Sequence, residues 1–318
     1  MKIFDMHCDT FSCLYQNKNV KLSHNDFAID IQKLKKGNYR AQCFAMFVPF
    51  TNKNLYQTCK EMIQLFYNQI EENKEYIQQV YTYNDFLTIY KKKKIAAVLT
   101  IEEGAVIEND LHKLEEFYQL GVRMMTLTWN YFNGIGFPNL IDSSDVKKRN
   151  ASQGLTPFGI QVVKKMNELG MIIDVSHLSD KGVEDVLNIS TKPFVASHSN
   201  AQSICNHCRN LSDDLIKKMA AKKCVIGLNY YNHFVCENEN QNFIDTLIAH
   251  IRHIIHVGGI DVIGLGSDFD GIPVYNDWKD CSIMPTLIQR LKEEGFSKQE
   301  IAKITYKNVL RVFKENLK

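Results

Sequence analysis

Short apolar runs alternate with helical segments along the whole chain, and this alternation constrains the fold more than any other feature. Each run is rich in β-branched or aromatic residues. This pattern predicts a strand that is buried on both faces, as parallel sheets require. The sequence contains eight of them. They are Lys2–Met6, Arg40–Pro49, Ile95–Ile101, Arg123–Thr128, Met171–Val175, Pro193–Ser197, Cys224–Asn229 and Val262–Gly266.

Helical patterns connect these runs. Asn25–Lys36 and Leu55–Val80 have amphipathic spacing, Thr156 and Pro157 form a helix start that Gly170 ends, and Lys298–Asn316 closes the chain with a helix. Eight strands that alternate with helices predict an α/β fold, the (β/α)8 TIM-type barrel. The chain has 318 residues, of which 45% are hydrophobic, so we expect a single domain over residues 1–318.

The amino-acid composition of the chain argues against nucleic-acid and membrane partners and against disulfide bonds. The formal net charge is only +2, and the lysine run 91–94 is typical of a solvated helix end. We therefore expect no nucleic-acid partner. We find neither a signal peptide nor eighteen consecutive apolar residues, which predicts a soluble cytoplasmic protein without a membrane partner. Nine cysteines, an odd number, favour reduced thiols over a disulfide framework.

Polar residues suited to binding metals follow several of the predicted strands. His7 and Asp9 follow the first strand, the pair Glu102–Glu103 ends the third, and His177 and His198 follow the fifth and sixth. The carboxyl ends of barrel strands meet at one mouth, where the active sites of such barrels lie. We therefore expect these side chains to converge although they are distant in sequence.

Imidazole and carboxylate groups are typical zinc ligands. The order of the residues predicts that His7 and Asp9 hold one metal and that His177 and His198 hold another. One glutamate of Glu102–Glu103 would bridge the two, but alternate strand residues face opposite ways, and the strand pattern does not decide which of them points inward. Metals held in this way lower the pKa of water and polarise a carbonyl group.

Two further residues extend this chemistry. Arg209 lies in the loop after His198 and offers a planar set of donors suited to a substrate carboxylate. Asp268 follows the last strand, where a carboxylate can accept a proton from attacking water and pass it to a leaving amine. Together they predict hydrolysis of a small anionic amide.

Six stretches of the sequence resemble the membrane (renal) dipeptidase family of binuclear zinc metallopeptidases, within the amidohydrolase-like barrels. Each stretch alone is weakly specific, but together they run in the order of the family over essentially the whole chain. The stretches are Asp5–Asp9, Ile101–Gly104, Asp174–His177, Ala196–Ser199, Arg209–Asn210 and Gly266–Gly271.

The resemblance implies two Zn²⁺ ions and assigns their ligands. In the family the first histidine and aspartate bind one zinc, the glutamate bridges, and the two later histidines bind the other. The matching residues are His7, Asp9, Glu102, His177 and His198. The family's glutamate directly precedes two small residues, which selects Glu102 and leaves Glu103 at the first of the small positions.

The resemblance also implies a function and roles for the remaining residues. Arg209 would bind the C-terminal carboxylate of the substrate, and Asp268 would assist proton transfer. The expected enzyme is a zinc-dependent dipeptidase acting on small dipeptides with a free C-terminal carboxylate, including those with a D-residue at the second position. Relatives dimerise, and the resemblance leaves a homodimer open.

The sequence departs from the family pattern in two places. Mammalian members carry a substrate-contacting histidine after the fourth strand, where this chain has Trp129 and Asn130. We interpret Asn130 as a substrate-binding residue that donates a hydrogen bond to the scissile carbonyl. Secreted members also carry a signal peptide and a lipid-anchor signal, so the resemblance is closer to cytoplasmic microbial relatives.

Two alternative functions are weighed against the dipeptidase. A lactonase, phosphotriesterase or metal-dependent nuclease on the same barrel usually begins with His-x-His and often bridges its metals with a modified lysine, whereas Asp9 takes the second position here. A non-catalytic, metal-stabilised binding protein would be supported by loss of Asp268 or of a ligand, and all of these residues are present.

Overall fold

The structure is a computed structural model and describes residues 1–273, 275 and 278–317. All strand pairs are parallel, and eight strands close into a barrel in the order β1-β2-β4-β5-β6-β7-β8-β9, with β9 pairing back to β1. A ninth strand, β3, pairs with the start of β4. The strands are β1 Ile3–Asp5, β2 Tyr39–Phe47, β3 Ile77–Gln79, β4 Ile95–Glu102, β5 Val122–Thr126, β6 Ile172–Asp174, β7 Val195–Ala196, β8 Val225–Leu228 and β9 Ile263–Leu265.

Helices surround the barrel and confirm the predicted (β/α)8 class. They are α1 Thr10–Gln16, α2 Ile31–Lys36, α3 Leu55–Glu72, α4 Tyr83–Lys91, α5 Leu111–Gln119, α6 Pro157–Leu169, α7 Asp180–Ile189, α8 Asp213–Ala221, α9 Asn232–Val235, α10 Phe243–Gly258, α11 Met284–Glu293, α12 Lys298–Ala302 and α13 Asn308–Asn316. Within the described residues, no helix is both long and apolar enough to cross a membrane. The domain predicted over 1–318 includes residues 274, 276, 277 and 318, which lie outside the described part.

Alternation along the strands separates two apolar layers. In β2, Ala41 and Cys43 point into the barrel, where small side chains fit the narrow interior. Phe44 points outward and packs against Phe11 of α1 and Phe66 of α3, with ring centroids 5.3 and 6.2 Å away. The sheet is therefore apolar on both faces, which explains the continuous apolar runs in the sequence.

The start of α6 forms as predicted. The Thr156 hydroxyl accepts a hydrogen bond from the backbone N–H of Gly159, and Pro157 occupies the first turn, where no backbone N–H is needed. Gly170 ends the helix with φ of 83°, a left-handed conformation that glycine adopts without steric cost.

Three predicted helices differ from the structure. The pattern over Leu55–Val80 continues past Glu72, where the helix ends, because Ile77 is buried as a strand residue beside Ile95. Asn25–Lys36 becomes helical only after Asp30, whose carboxylate accepts a hydrogen bond from the third helical residue. The last helix, Lys298–Asn316, is interrupted by a π-helical turn at Lys303–Lys307.

The segment between β5 and α6 lies at the carboxyl ends of the strands, where Trp129 and Asn130 line the cavity. Residues 127–156 all lie within the described part and form neither helix nor strand. Arg149 fixes this segment by ion-pairing with Asp180 at 2.6 Å and donating to the carbonyl of Asn210 at 2.8 Å. This segment is therefore tied to the elements that frame the mouth.

The opposite end of the barrel is closed by aromatic packing, which gives a stability prediction. Phe313 of α13 is buried against Phe4 and Phe86, with centroid distances of 4.9 and 5.6 Å. Phe313→Ala is expected to lower the free energy of unfolding by about 3–5 kcal/mol, measured by urea denaturation, because it removes a buried ring and leaves a cavity. The control is Phe132→Ala, whose ring is 48% exposed. Equal losses in the two variants would contradict this view of the core.

Candidate metal centre

The predicted site residues converge at the carboxyl ends of the strands. Strand alternation places Glu102, the last residue of β4, on the inward face together with Val98 and Thr100. Glu103 leaves the strand with φ of 85°, and its carboxylate accepts a hydrogen bond from the backbone N–H of Ala105 instead. Of the two glutamates, Glu102 is thus the one whose side chain enters the site.

Glu102 lies between two groups of candidate ligands. Its Oε2 is 3.3 Å from His7 Nε2, which is also 3.3 Å from Asp9 Oδ2. Its Oε1 is 3.1 Å from His177 Nε2 and 3.6 Å from His198 Nε2. The five side chains form one buried cluster, with one carboxylate oxygen of Glu102 directed at each group.

Hydrogen bonds behind the cluster set the orientation of the two later histidines. Asn130 Oδ1 lies 2.7 Å from His177 Nδ1, and Ser197 Oγ lies 2.7 Å from His198 Nδ1. Because Ser197 Oγ donates to Asp174 at 2.5 Å, it accepts the proton on His198 Nδ1. Both rings then keep a lone pair on Nε2, the form in which imidazole binds a metal.

The donor atoms of this cluster fit a divalent cation. The Nε2 atoms of His177 and His198 are 2.9 Å apart, and burial lowers the pKa of both rings well below the usual value, so both are neutral. Among the described residues, His7 Nε2 and Asp9 Oδ1 are buried without a hydrogen-bond partner. Converging lone pairs repel one another unless a positive charge lies between them. The residues therefore fit a metal site.

Charge at the site leads to the same conclusion. Burial, reinforced by Asp9, raises the pKa of Glu102 to about 8. Burial alone would lower the pKa of His7, but the carboxylates of Glu102 and Asp9 outweigh it and raise that pKa well above its usual value. Buried carboxylates in such a cluster need a nearby positive charge to remain ionised, which either a proton on His7 or a cation bound between these groups supplies.

Asp268 approaches the cluster from the end of β9. Its backbone is left-handed with φ of 64°, its Oδ1 lies 3.7 Å from His7 Nε2, and its Oδ2 accepts a hydrogen bond from Asn229 Nδ2 at 2.9 Å. Burial raises the pKa of Asp268 to about 6, with His7 opposing the shift. One carboxylate oxygen is held by Asn229, and the other faces the centre of the site.

Arg209 carries a buried charge beside the same cavity. Its Nη2 donates weakly to the carbonyl of His198 at 3.5 Å, and its guanidinium lies over the Phe234 ring at 5.4 Å. Its Nε is buried and has no hydrogen-bond partner in the described part of the chain. Burial lowers its pKa, and Asp268 opposes that shift. A buried guanidinium with an unused donor is suited to an anionic ligand.

A cavity of about 280 Å³ connects these groups. Asp9, Glu102, His177 and Asp268 line it, together with Arg209, which the loop after β7 supplies. Asn130 also lines the cavity. Its Oδ1 contacts His177, so only its Nδ2 is available for the predicted bond to a substrate carbonyl.

Sequence reasoning missed the residues that orient the candidate ligands. Asp5 accepts hydrogen bonds from the backbone N–H groups of His7 and Ser267, at 3.1 and 2.9 Å. Asp174 does the same for Ser176 and Ser197, at 3.0 and 2.8 Å. Their signal was an aspartate at the last position of a strand that precedes a candidate ligand histidine. Asn229, directly after β8, gave no such signal.

Comparisons with known proteins agree with this geometry. The family model described as membrane dipeptidase, peptidase family M19, matches residues 1–318. Two uncharacterized dipeptidases of Schizosaccharomyces pombe are each 32% identical to this chain, covering 99% and 94% of it and 80% and 76% of their own lengths.

Two solved structures share the fold. The M19 metallopeptidase called dipeptidase AC superposes with a TM-score of 0.92 at 23% identity, covering 100% of this chain and 99% of the other. A metallopeptidase from Rhodobacter sphaeroides, liganded with a phosphinate mimic of the dipeptide L-Ala-D-Ala, gives 0.92 at 22% identity and 99% coverage of both. The chain belongs to the membrane dipeptidase family, peptidase family M19, whose members are metal-dependent peptidases.

Proposed function

We propose that this protein is a zinc-dependent dipeptidase that hydrolyses dipeptides with a free C-terminal carboxylate, including those with a D-residue at the second position. The observation that carries the proposal is the position of Glu102 between two groups of ligands, in the cavity that also holds the Arg209 guanidinium, whose Nε has no hydrogen-bond partner among the described residues. The L-Ala-D-Ala mimic bound to the related Rhodobacter sphaeroides enzyme supports the substrate class.

The proposed metal ligands divide into two sets that share Glu102. His7 and Asp9 would hold one zinc ion, and His177 and His198 the other. Nitrogen and carboxylate donors in this combination suit Zn²⁺. When bound, the metals supply Lewis acidity, which lowers the pKa of water and polarises a carbonyl group.

The chain itself binds and orients the substrate. Arg209 would pair with the C-terminal carboxylate through two parallel hydrogen bonds, and this would fix the distance from that carboxylate to the scissile carbonyl. Asn130 Nδ2 would donate to the carbonyl oxygen from the opposite wall. The buried cavity limits access of bulk water, which strengthens both interactions.

Asp268 would move the proton. Its Oδ1 would accept a proton from the attacking water and deliver it to the nitrogen of the leaving amino acid, so that the peptide C–N bond breaks and two free amino acids result. Asn229 keeps Oδ2 in place during both transfers. Burial raises the pKa of the Asp268 carboxyl group to about 6, which makes it a stronger base than an exposed aspartate.

Metal removal gives the first functional prediction. Prolonged chelation is expected to abolish release of amino acids from an L-L and an L-D dipeptide, and added Zn²⁺ is expected to restore it, because no described side chain replaces the Lewis acid. Elemental analysis should find two zinc ions per chain. Full activity in a metal-free sample would contradict the proposal.

Substitution of Asp268 separates proton transfer from metal binding. Asp268→Asn is expected to lower kcat by roughly 10²- to 10⁴-fold, because the amide cannot accept the proton. Zinc content should stay at the wild-type value. Asp145→Asn, at an exposed position, is the matched control. Unchanged turnover with bound zinc would exclude this role of Asp268.

The proposed role of Arg209 is tested by comparing substrates with and without a negative charge at the C-terminus. Arg209→Lys keeps the positive charge but loses the planar pair of donors, so KM for a free dipeptide is expected to rise about tenfold or more. The same dipeptide with an amidated C-terminus should be affected little. The proposed role of Arg209 is wrong if the substitution raises KM equally for both substrates.

A further inference from the structure

One wall of the cavity is aromatic. Phe47, the last residue of β2, and Trp129, which follows β5, have ring centroids 5.1 Å apart. Phe47 pairs in register with Glu102, and the Trp129 ring lies 5.8 Å from the His177 ring. The two rings, here called the aromatic wall, are partly exposed and present apolar surface beside the proposed metal ligands.

The aromatic wall lies across the barrel from Arg209. Strands β2, β4 and β5 are neighbours, and β8 lies diametrically opposite β4 in the closed barrel. Arg209 follows β7 and packs over Phe234, which follows β8. The cavity therefore has Arg209 on one side and the aromatic wall on the other, and Glu102, which points inward from β4, also lines it.

We propose that the aromatic wall binds the side chain of the N-terminal residue of the substrate, so that the enzyme prefers dipeptides that begin with a large apolar or aromatic residue. This inference rests on the proposed dipeptidase function. With the C-terminal carboxylate at Arg209 and the scissile carbonyl above Glu102, the N-terminal residue extends toward Phe47 and Trp129. Apolar contact there scales with buried area, and aromatic rings add favourable stacking.

Glu103 fixes the wall and is a positioning residue. Its carboxylate is fully buried and accepts hydrogen bonds from the backbone N–H of Trp129 at 2.9 Å and from Asn133 Nδ2 at 2.5 Å. The Tyr131 ring lies 5.5 Å from the Trp129 ring and braces it from the other side.

The backbone of Glu103 shows that this arrangement has a cost. A φ of 85° is unfavourable for a residue with a side chain. It persists here because the carboxylate accepts hydrogen bonds from Ala105, Trp129 and Asn133, and the last two belong to the segment over residues 127–156.

A substrate series tests the wall. For L-X-L-Ala dipeptides, kcat/KM of the wild type is expected to be about tenfold or more higher for X = Phe than for X = Ala. Trp129→Ala should remove most of this ratio, and Trp129→Phe should keep most of it. Phe132→Ala, an exposed ring in the same loop, should leave the ratio unchanged.

The outcomes separate this inference from the proposed function. Equal kcat/KM values for both dipeptides in the wild type, or a ratio that Trp129→Ala does not change, would overturn the aromatic wall and leave the dipeptidase intact. Failure to hydrolyse any dipeptide with both zinc ions bound would overturn both.

Glu103 is tested by the same ratio. Glu103→Gln places an amide N–H₂ against hydrogen-bond donors and is expected to lower the Phe-Ala to Ala-Ala ratio about threefold to tenfold, with zinc content unchanged. Glu103→Gly removes the carboxylate and also relieves the left-handed backbone, so it should fold and show the same loss of ratio. A purely structural role would reduce hydrolysis of both dipeptides equally, and that result would overturn the positioning role.

Discussion

Burial of several carboxylates and imidazole lone pairs at one point is the constraint on which the rest of the structure depends. Asp9, Glu102 and Asp268 lie within a few side-chain diameters of three histidines, away from bulk water. Such a cluster is unfavourable unless positive charge compensates it. The barrel can maintain it because five strand ends, those of β1, β4, β6, β7 and β9, each fixed by hydrogen bonds to neighbouring strands, supply the groups independently.

Several residues around this cluster have strained backbone conformations. Glu103, His177, Asp268 and Asp270 all have positive φ although none is glycine, and each follows a strand that points at the site. Residues in such conformations persist only where surrounding contacts over-determine them. Here buried aspartates at strand ends provide these contacts: Asp174 and Asp5 bind the backbone N–H groups of the turns that carry the histidines.

The two sides of the barrel mouth differ in their chemistry. Arg209 and Phe234 stand on one side, and the aromatic wall of Phe47 and Trp129 stands on the other. A dipeptide is also asymmetric, with a carboxylate at one end and, at the other, a residue that carries an ammonium group and a variable side chain. The segment over residues 127–156 completes this arrangement, because Glu103 and Arg149 tie it to the barrel.

The sequence by itself determined the barrel fold and showed which polar residues lie at the carboxyl ends of its strands. Apolar runs report burial on both faces, and polar residues that follow such runs must meet at one mouth, so distant positions from His7 to Asp268 could be grouped without a structure. Local patterns also predicted the start of α6, yet they extended a helix to Val80, because short apolar segments fit helix and strand equally well. The strand pattern left open which glutamate turns inward, the resemblance selected Glu102, and the structure turns the Glu102 side chain toward His7 and His177. Tertiary structure alone decided that Asn130 Oδ1 contacts His177 and that Asn229 and Asp174 hold their neighbours. These are contacts between side chains brought together by strand register and loop path, and no spacing along the chain encodes them.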